Sequence, residues 1–290
     1  MPISKSNRAF AINLPLQYLQ AIRLTHALME SDYIIHIPEE HKNKFARLKD
    51  IFNLEYKLGV EEVPILNSVK FNHSNPSSQI GSLKRTLIFP KASFDYCRQL
   101  WSDKRKIKIC FAGLVTEKRK HNLDRWFKSN FPNSRFKLST KERFIIRLGN
   151  KLLRQLNLPV LPSTYKTELN GVIFWSSNRG RVFPVKAWDE EYFRLLADSQ
   201  FVLCPSGDYV WTYRFFESIM CGAIPIIEKY CPAYEGFRYF SMDDSISSWK
   251  WSEEDINYNF QLCFERLTVS LEELNEEIGK ILSVSFLQEI

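Results

Sequence analysis

Residues 201–230 read FVLCPSGDYVWTYRFFESIMCGAIPIIEKY, and this stretch decides the fold. The apolar run 201–204 meets a turn at Pro205, Ser206 and Gly207. A short helix follows and ends at Gly222, and a second apolar run, 223–227, begins at once. The pattern is strand, loop, helix, strand in an α/β domain, with a polar loop at the carboxyl end of the first strand. Ligands of open parallel sheets bind at such ends. Arg214 and Glu217 stand three apart and so share a helix face. Arg214 lies in the first turn, where the helix dipole disfavours a cation. Arg before Glu is also the weaker order for an intrahelical ion pair. A bound anion removes that conflict.

The same residues resemble the nucleotide-sugar-binding signature of the exostosin-type glycosyltransferases (family 47). That signature runs serine, one residue, phenylalanine, a leucine–cysteine–proline turn with glycine, an arginine-led helix with an acidic residue, and a closing glycine–cysteine–isoleucine–proline strand. Here Ser199, Phe201, Leu203-Cys204-Pro205, Gly207, Arg214, Glu217, Gly222 and Ile224-Pro225 occur in that order. Ala223 replaces the usual cysteine, and Trp211-Thr212-Tyr213 stands where a small residue normally precedes the arginine. The resemblance implies an α/β fold of GT-B type, two Rossmann-like domains facing across a cleft. The N-terminal domain, 1–103, would be the reduced, acceptor-side one. The C-terminal domain, 104–290, would bind the nucleotide sugar, and its terminal helices would cross back.

Upstream, 107–111 reads as a strand, Gly113 as a turn, and Lys118, Arg119 and Lys120 as the start of a helix ending near Phe131. Backbone N–H groups, a helix N-terminus and cations converge on phosphates in such a unit. The resemblance implies that Gly113, Lys118, Arg119, Ser206, Gly207 and Arg214 contact the donor diphosphate, with Glu217 on the ribose. Tyr209 or Trp211 is placed to stack on the base. Arg179, in a basic loop after the strand 171–175, is a further phosphate candidate. A general base must deprotonate the acceptor hydroxyl. His36, Glu39, Glu40 and His41, at the end of a strand over 33–37, are the candidates. Asp243-Asp244 reads as a turn or cap and not as a metal-binding pair, so no divalent metal and no cofactor is expected.

The expected reaction is inverting transfer of a hexosyl or pentosyl group from a UDP- or GDP-sugar to a glycan or lipid-linked acceptor. Two other readings fit the residues. Asp208-Tyr209-Val210 before a basic–acidic helix is similar to fucosyltransferases that use GDP-fucose, although there the acid precedes the base. A non-catalytic glycan- or nucleic-acid-binding protein on a degenerate transferase fold suits the basic charge, although such a module has no need of the Arg214/Glu217 pair. No nucleic-acid partner is therefore expected.

The 290 residues suit one large or two modest domains, and 44% hydrophobic with 25% charged residues is ordinary globular composition. Residues 104–154 hold sixteen Lys and Arg against three acids, a local charge of +13 within a chain of +7, which leaves −6 elsewhere. That asymmetry predicts a basic face for an anionic partner. The stretch 143–156 is amphipathic and basic, and it predicts a helix packed on its domain or lying on a membrane surface. No run approaches the ~20 apolar residues of a membrane span. Asn13, Gln17 and Gln20 interrupt the N-terminal apolar segment, so no signal peptide is expected, unlike the lumenal animal exostosins. Six cysteines without a CxxC pair predict buried free thiols and a reducing, cytoplasmic setting, peripheral at the membrane's inner face. Helices are expected at 16–29, 42–57 and 93–101, loop over 59–82, and a strand at 85–89.

Overall fold

The computed structural model describes residues 9–60, 63–136, 144–156, 164–177 and 187–287. The chain divides into two compact units: Met1–Tyr96, Phe183–Trp188 and Gln261–Ile290 form the first, and Cys97–Val182 with Asp189–Phe260 the second. Both are Rossmann-like, as their sheet orders show.

In the first unit, short apolar runs become strands β1 (Ala9–Ile12) and β2 (Ile34–Ile37), joined by helix α1 (Leu19–Met29). Helix α2 (Lys42–Phe52) buries Phe45 and Leu48 and stops at Asn53, which takes the left-handed φ of 51°. Strands β3 (Tyr56–Leu58) and β4 (Ile65–Leu66) complete an all-parallel sheet of order β3-β2-β1-β4. The segment 59–82 is therefore not the loop its polar composition suggests. Besides β4 it holds β5 (Val69–Asn72) and β6 (Ser77–Ile80), which with β7 (Leu83–Arg85) form a small antiparallel sheet. The apolar run 87–89 is buried but joins no sheet; the Phe89 N–H donates to the Leu267 carbonyl at 2.7 Å. Helix α3 (Lys91–Gln99) leads into the second unit.

There, β8 (Ile107–Leu114) is followed by α4 (Glu117–Asn130), α5 (Phe144–Gln155), and a hairpin of β9 (Thr164–Leu169) and β10 (Val172–Ser177). Asn170 and Gly171 turn the hairpin with positive φ at both residues, as a two-residue type I′ turn requires. Next come α6 (Glu190–Ala197), β11 (Ser199–Cys204), α7 (Tyr213–Met220), β12 (Ile224–Ile227) and β13 (Phe240–Ser241). The sheet order is β13-β12-β11-β8-β10-β9, with only β9 antiparallel. Counted in chain order, the five parallel strands stand 2-1-3-4-5, a doubly wound arrangement whose direction reverses between β8 and β11.

One face of this sheet carries the core. Phe111, Phe174, Phe201, Leu203 and Ile226 meet Leu123, Trp126 and Phe127 of α4, with Trp249 beside them. Each such side chain contributes about 1.5–3 kcal/mol on full burial. Helices α8 (Glu253–Leu267) and α9 (Leu271–Leu287) close the chain. Within the first unit, Glu277 of α9 accepts the Ser82 N–H at 2.5 Å, and Asn275 accepts that of Asp32 at 2.9 Å. All six cysteines are buried free thiols. Among the described residues no helix is long and apolar enough to cross a membrane.

Candidate functional site

The reversal between β8 and β11 puts two strand ends side by side, each leading into a capped helix. After β8, the Thr116 hydroxyl caps α4 by accepting the Arg119 N–H. After β11, Pro205, Ser206 and Gly207 are buried, and Thr212 caps α7 by accepting the Arg214 N–H at 3.3 Å. The phenol of Tyr234 holds the Thr212 N–H at 2.8 Å. Burial of that phenol pushes its pKa well up.

Arg214 is only 5% exposed. Its side chain leaves α7 and crosses to β8, where Nε donates to the Ala112 carbonyl at 2.5 Å and the guanidinium lies 4.5 Å over the Phe111 ring. It rests against Gly113, whose φ is +147° and where any Cβ would collide with the guanidinium. A side chain at position 113 would thus block the crossing. The Nη1 nitrogen is buried and has no hydrogen-bond partner among the described residues.

Arg119 binds the two strand ends together. Nη1 donates to the Leu114 carbonyl at 2.9 Å and Nε to the Ser206 carbonyl at 3.2 Å. Its guanidinium lies against Gly207, again where a Cβ would stand. Burial, and then the positive charge of Arg214, push the Arg119 pKa down to about 10. Ser206 gives its N–H to Glu228 at 3.0 Å, while its buried hydroxyl has no partner among the described residues. Asp208 and Glu228 act on Arg119 through space, yet neither arginine forms an ion pair among the described residues.

A buried guanidinium with a half-buried one beside it and no paired anion costs several kcal/mol. A chain keeps such a cost where a ligand supplies the missing charge. The Arg214 Nη1 and the Ser206 hydroxyl, both without a partner among the described residues, and the two glycine approaches are donors and space that suit an anion with several oxygens.

The structure gathers Gly113, Arg119, Ser206, Gly207 and Arg214, with Tyr209 on the same loop, its carbonyl accepting the Gly207 N–H at 3.0 Å. Glu217 is 1% exposed, and its carboxylate accepts the Tyr192 hydroxyl at 2.6 Å. The shared helix face does not bring Arg214 and Glu217 into an ion pair, because the long arginine side chain turns to β8. Lys118 is exposed on the first turn of α4. Tyr209 is 38% exposed on the loop, whereas Trp211 is buried edge-on against Tyr213 at 4.7 Å. Arg179 lies outside the described residues. In the first unit, His36 Nδ1 lies 2.8 Å from the Gly59 carbonyl. Glu39 and Glu40 are exposed on a single 3-10 turn. His41 lies 3.3 Å from the Lys44 ammonium, and burial followed by that charge lowers its pKa. Asp244 accepts the Ser241 N–H at 2.8 Å in a turn.

Glu228, Thr116 and Thr212 escape the sequence reading. Both threonines directly precede a helix, which is an N-cap signal. Glu228 follows a buried strand, where an acid sits at the sheet's carboxyl edge.

Fold and site together define a doubly wound α/β unit with two guanidiniums gathered at its switch point. Residues 165–236, which span β10 to β12 and include Arg214, match the family model described as the RXYLT1 C-terminal domain. That domain is exostosin-like, so the signature legible in 199–225 is matched across this segment. No curated protein matches by sequence. Anabaena Alr3699/HepE in complex with UDP and glucose is 12% identical, over 95% of this chain and 71% of that one, at a TM-score of 0.37. The same protein in complex with UDP gives 12%, 97% and 80% at 0.38. The GtfA/B complex gives 9%, 90% and 46% at 0.33. Likenesses this slight add nothing to the argument from the site.

Proposed function

We propose that this protein is a glycosyltransferase that binds a nucleotide-diphosphate sugar at the β8/β11 switch of its second unit. The observation that carries the reading is the buried Nη1 of Arg214, without a partner among the described residues, beside the half-buried guanidinium of Arg119. The family match over residues 165–236 supports the transferase class. The diphosphate lies between the two guanidiniums, with the Ser206 hydroxyl and the backbone beside Gly113 and Gly207 completing its contacts. Charge grows on that diphosphate as the sugar leaves. Fixed cations in a dry site stabilise it without a reorganisation cost, so no divalent metal is required. Lys118 adds long-range attraction from the rim. Glu217 braces α7 through Tyr192 rather than holding the ribose.

The reaction is inverting transfer of a hexosyl or pentosyl unit to a glycan or lipid-linked acceptor, as in polysaccharide assembly. Of the four base candidates, His41 has its pKa lowered, so it is neutral and able to accept a proton at pH 7. Leu148, Leu152 and Leu156 of the α5 segment are 52%, 55% and 68% exposed at i, i+4 and i+8. Within a stretch of +13 they suit an anionic membrane surface. We infer a peripheral position at such a surface.

The test is donor turnover with UDP-glucose, UDP-xylose, UDP-N-acetylglucosamine and GDP-mannose, followed as nucleotide release. One donor is expected to be consumed by the native chain and spared by Arg214→Met. Release of no nucleotide from any of the four by folded protein overturns the reading.

A further inference from the structure

The two Rossmann-like sheets end in four edge strands, and three of these are short. β3 has three residues, and β4 and β13 have two each. A short edge is one way in which a sheet is kept from pairing with another chain. β9 departs from this. It is six residues long, TYKTEL, and among the described residues only β10 pairs with it. Its outer edge is a row of backbone donors and acceptors that a further strand can take up. The hairpin fixes which residues point that way. Leu169 and Val172 close the two-residue turn, so they exchange both hydrogen bonds across it. The alternation of an antiparallel ladder then turns the N–H and C=O of Leu169 and Thr167 toward β10 and those of Glu168 and Lys166 outward. The side chains of Lys166 and Glu168 share one face of the strand and both are exposed. Neither forms an ion pair among the described residues.

An antiparallel strand bonds to this edge only where both residues of a pair direct their groups at each other. A second copy of β9 offers the same outward residues, and three two-fold registers bring them together. With Lys166 on the axis two ammonium groups oppose each other, and with Glu168 on the axis two carboxylates do. Like charges directly opposite are destabilising. With Thr167 on the axis, Lys166 of each chain stands opposite the partner's Glu168, and each such pair exchanges two main-chain hydrogen bonds. Opposite charges then meet at both ends of the pairing, and a threonine pair fills its centre, both favourable cross-strand matches. We propose that β9 is a dimerisation edge, pairing antiparallel about Thr167 with the β9 of a second copy of this chain and joining two six-stranded sheets into one. The proposal is independent of the transferase reading, because neither the anion site nor the reaction enters it. Pairing along one edge makes a small interface, so the dimer belongs to the weak, reversible class.

Sedimentation velocity across a concentration series tests it. The native chain is expected to pass from 34.2 kDa to twice that mass as its concentration rises. Glu168→Lys sets lysines opposite each other at both ends of the pairing, and the dimer Kd should rise about tenfold or more. The double variant Lys166→Glu/Glu168→Lys restores opposite charges in the Thr167 register alone, and it should dimerise as the native chain does. Both substituted side chains are exposed, so the variants should melt with the native chain. A native chain that stays monomeric throughout, a dimer indifferent to Glu168→Lys, or a double variant as weak as the single one overturns the proposal.

Discussion

The two units carry comparable parallel sheets and differ in what stands at their strand ends. In the first, β1 runs into Asn13 and a buried Leu16, whose carbonyl accepts the Lys44 ammonium at 3.2 Å. In the second, Gly113 near the end of β8 admits the Arg214 guanidinium, and Arg119 joins it from α4. Both sheets are parallel, and among the described residues the second gathers two guanidiniums at its strand ends, where we propose the anion site. Function lies in the site and not in the fold.

The largest effect expected to probe that contrast is Gly113→Val. Its Cβ meets the Arg214 guanidinium, and a φ of +147° strains any side chain with a Cβ. Nucleotide affinity should fall by about 100-fold or more, the loss of two charge-assisted bonds at ~1.5–3 kcal/mol each. The matching change in the first unit, Asn13→Ala, should leave affinity unaltered. A Gly113→Val chain that binds normally breaks the comparison. Arg119→Ala comes next. It removes the bonds to Leu114 and Ser206 and one of two cations, and a roughly tenfold weaker Kd by calorimetry is expected.

A third effect belongs to the first unit alone and concerns pH. His26 is fully buried, with its ring 4.8 Å from Phe52, and burial lowers its pKa from 6.5 to about 3. The unfolded chain takes up a proton below pH 6.5 and the folded chain does not until about pH 3. Stability is therefore complete above pH 6.5 and falls as pH drops toward 3, by on the order of 4 kcal/mol over the full window. His26→Leu should flatten the melting temperature between pH 6.5 and 4 and leave nucleotide affinity at pH 7.5 unchanged. An unchanged pH slope in the variant removes His26 as the cause.

Apolar runs bounded by glycine or proline were legible in the sequence. The strands at 201–204 and 224–227 follow from local pattern, whereas Gly113, expected as a turn, lies within β8 opposite Ser176. The short strands β4 to β7 were not legible. They are two to four residues long, several are polar, and only their partners define them. Strand β9 was signalled by Asn170-Gly171, a hairpin pair whose meaning depends on reading the polar run TYKTEL as an edge strand.

At the site, spacing marked Arg214, Ser206 and Gly207 because strand, turn and helix cap are adjacent in sequence. It gave no sign that Glu217 is buried or that it pairs with Tyr192, 25 residues away. Spacing also gives no sign that Arg119 reaches the Ser206 carbonyl, a contact 87 residues apart.

The most direct test of the anion site is calorimetric titration of UDP and GDP into the native chain and into Arg214→Met. Methionine preserves bulk and removes the unpaired buried charge, so the variant should fold at least as stably as the native protein. The native chain is expected to bind one diphosphate at micromolar Kd and the folded variant about 100-fold more weakly. Equal binding by both, or none by the native chain, contradicts the assignment of the β8/β11 switch as the donor site.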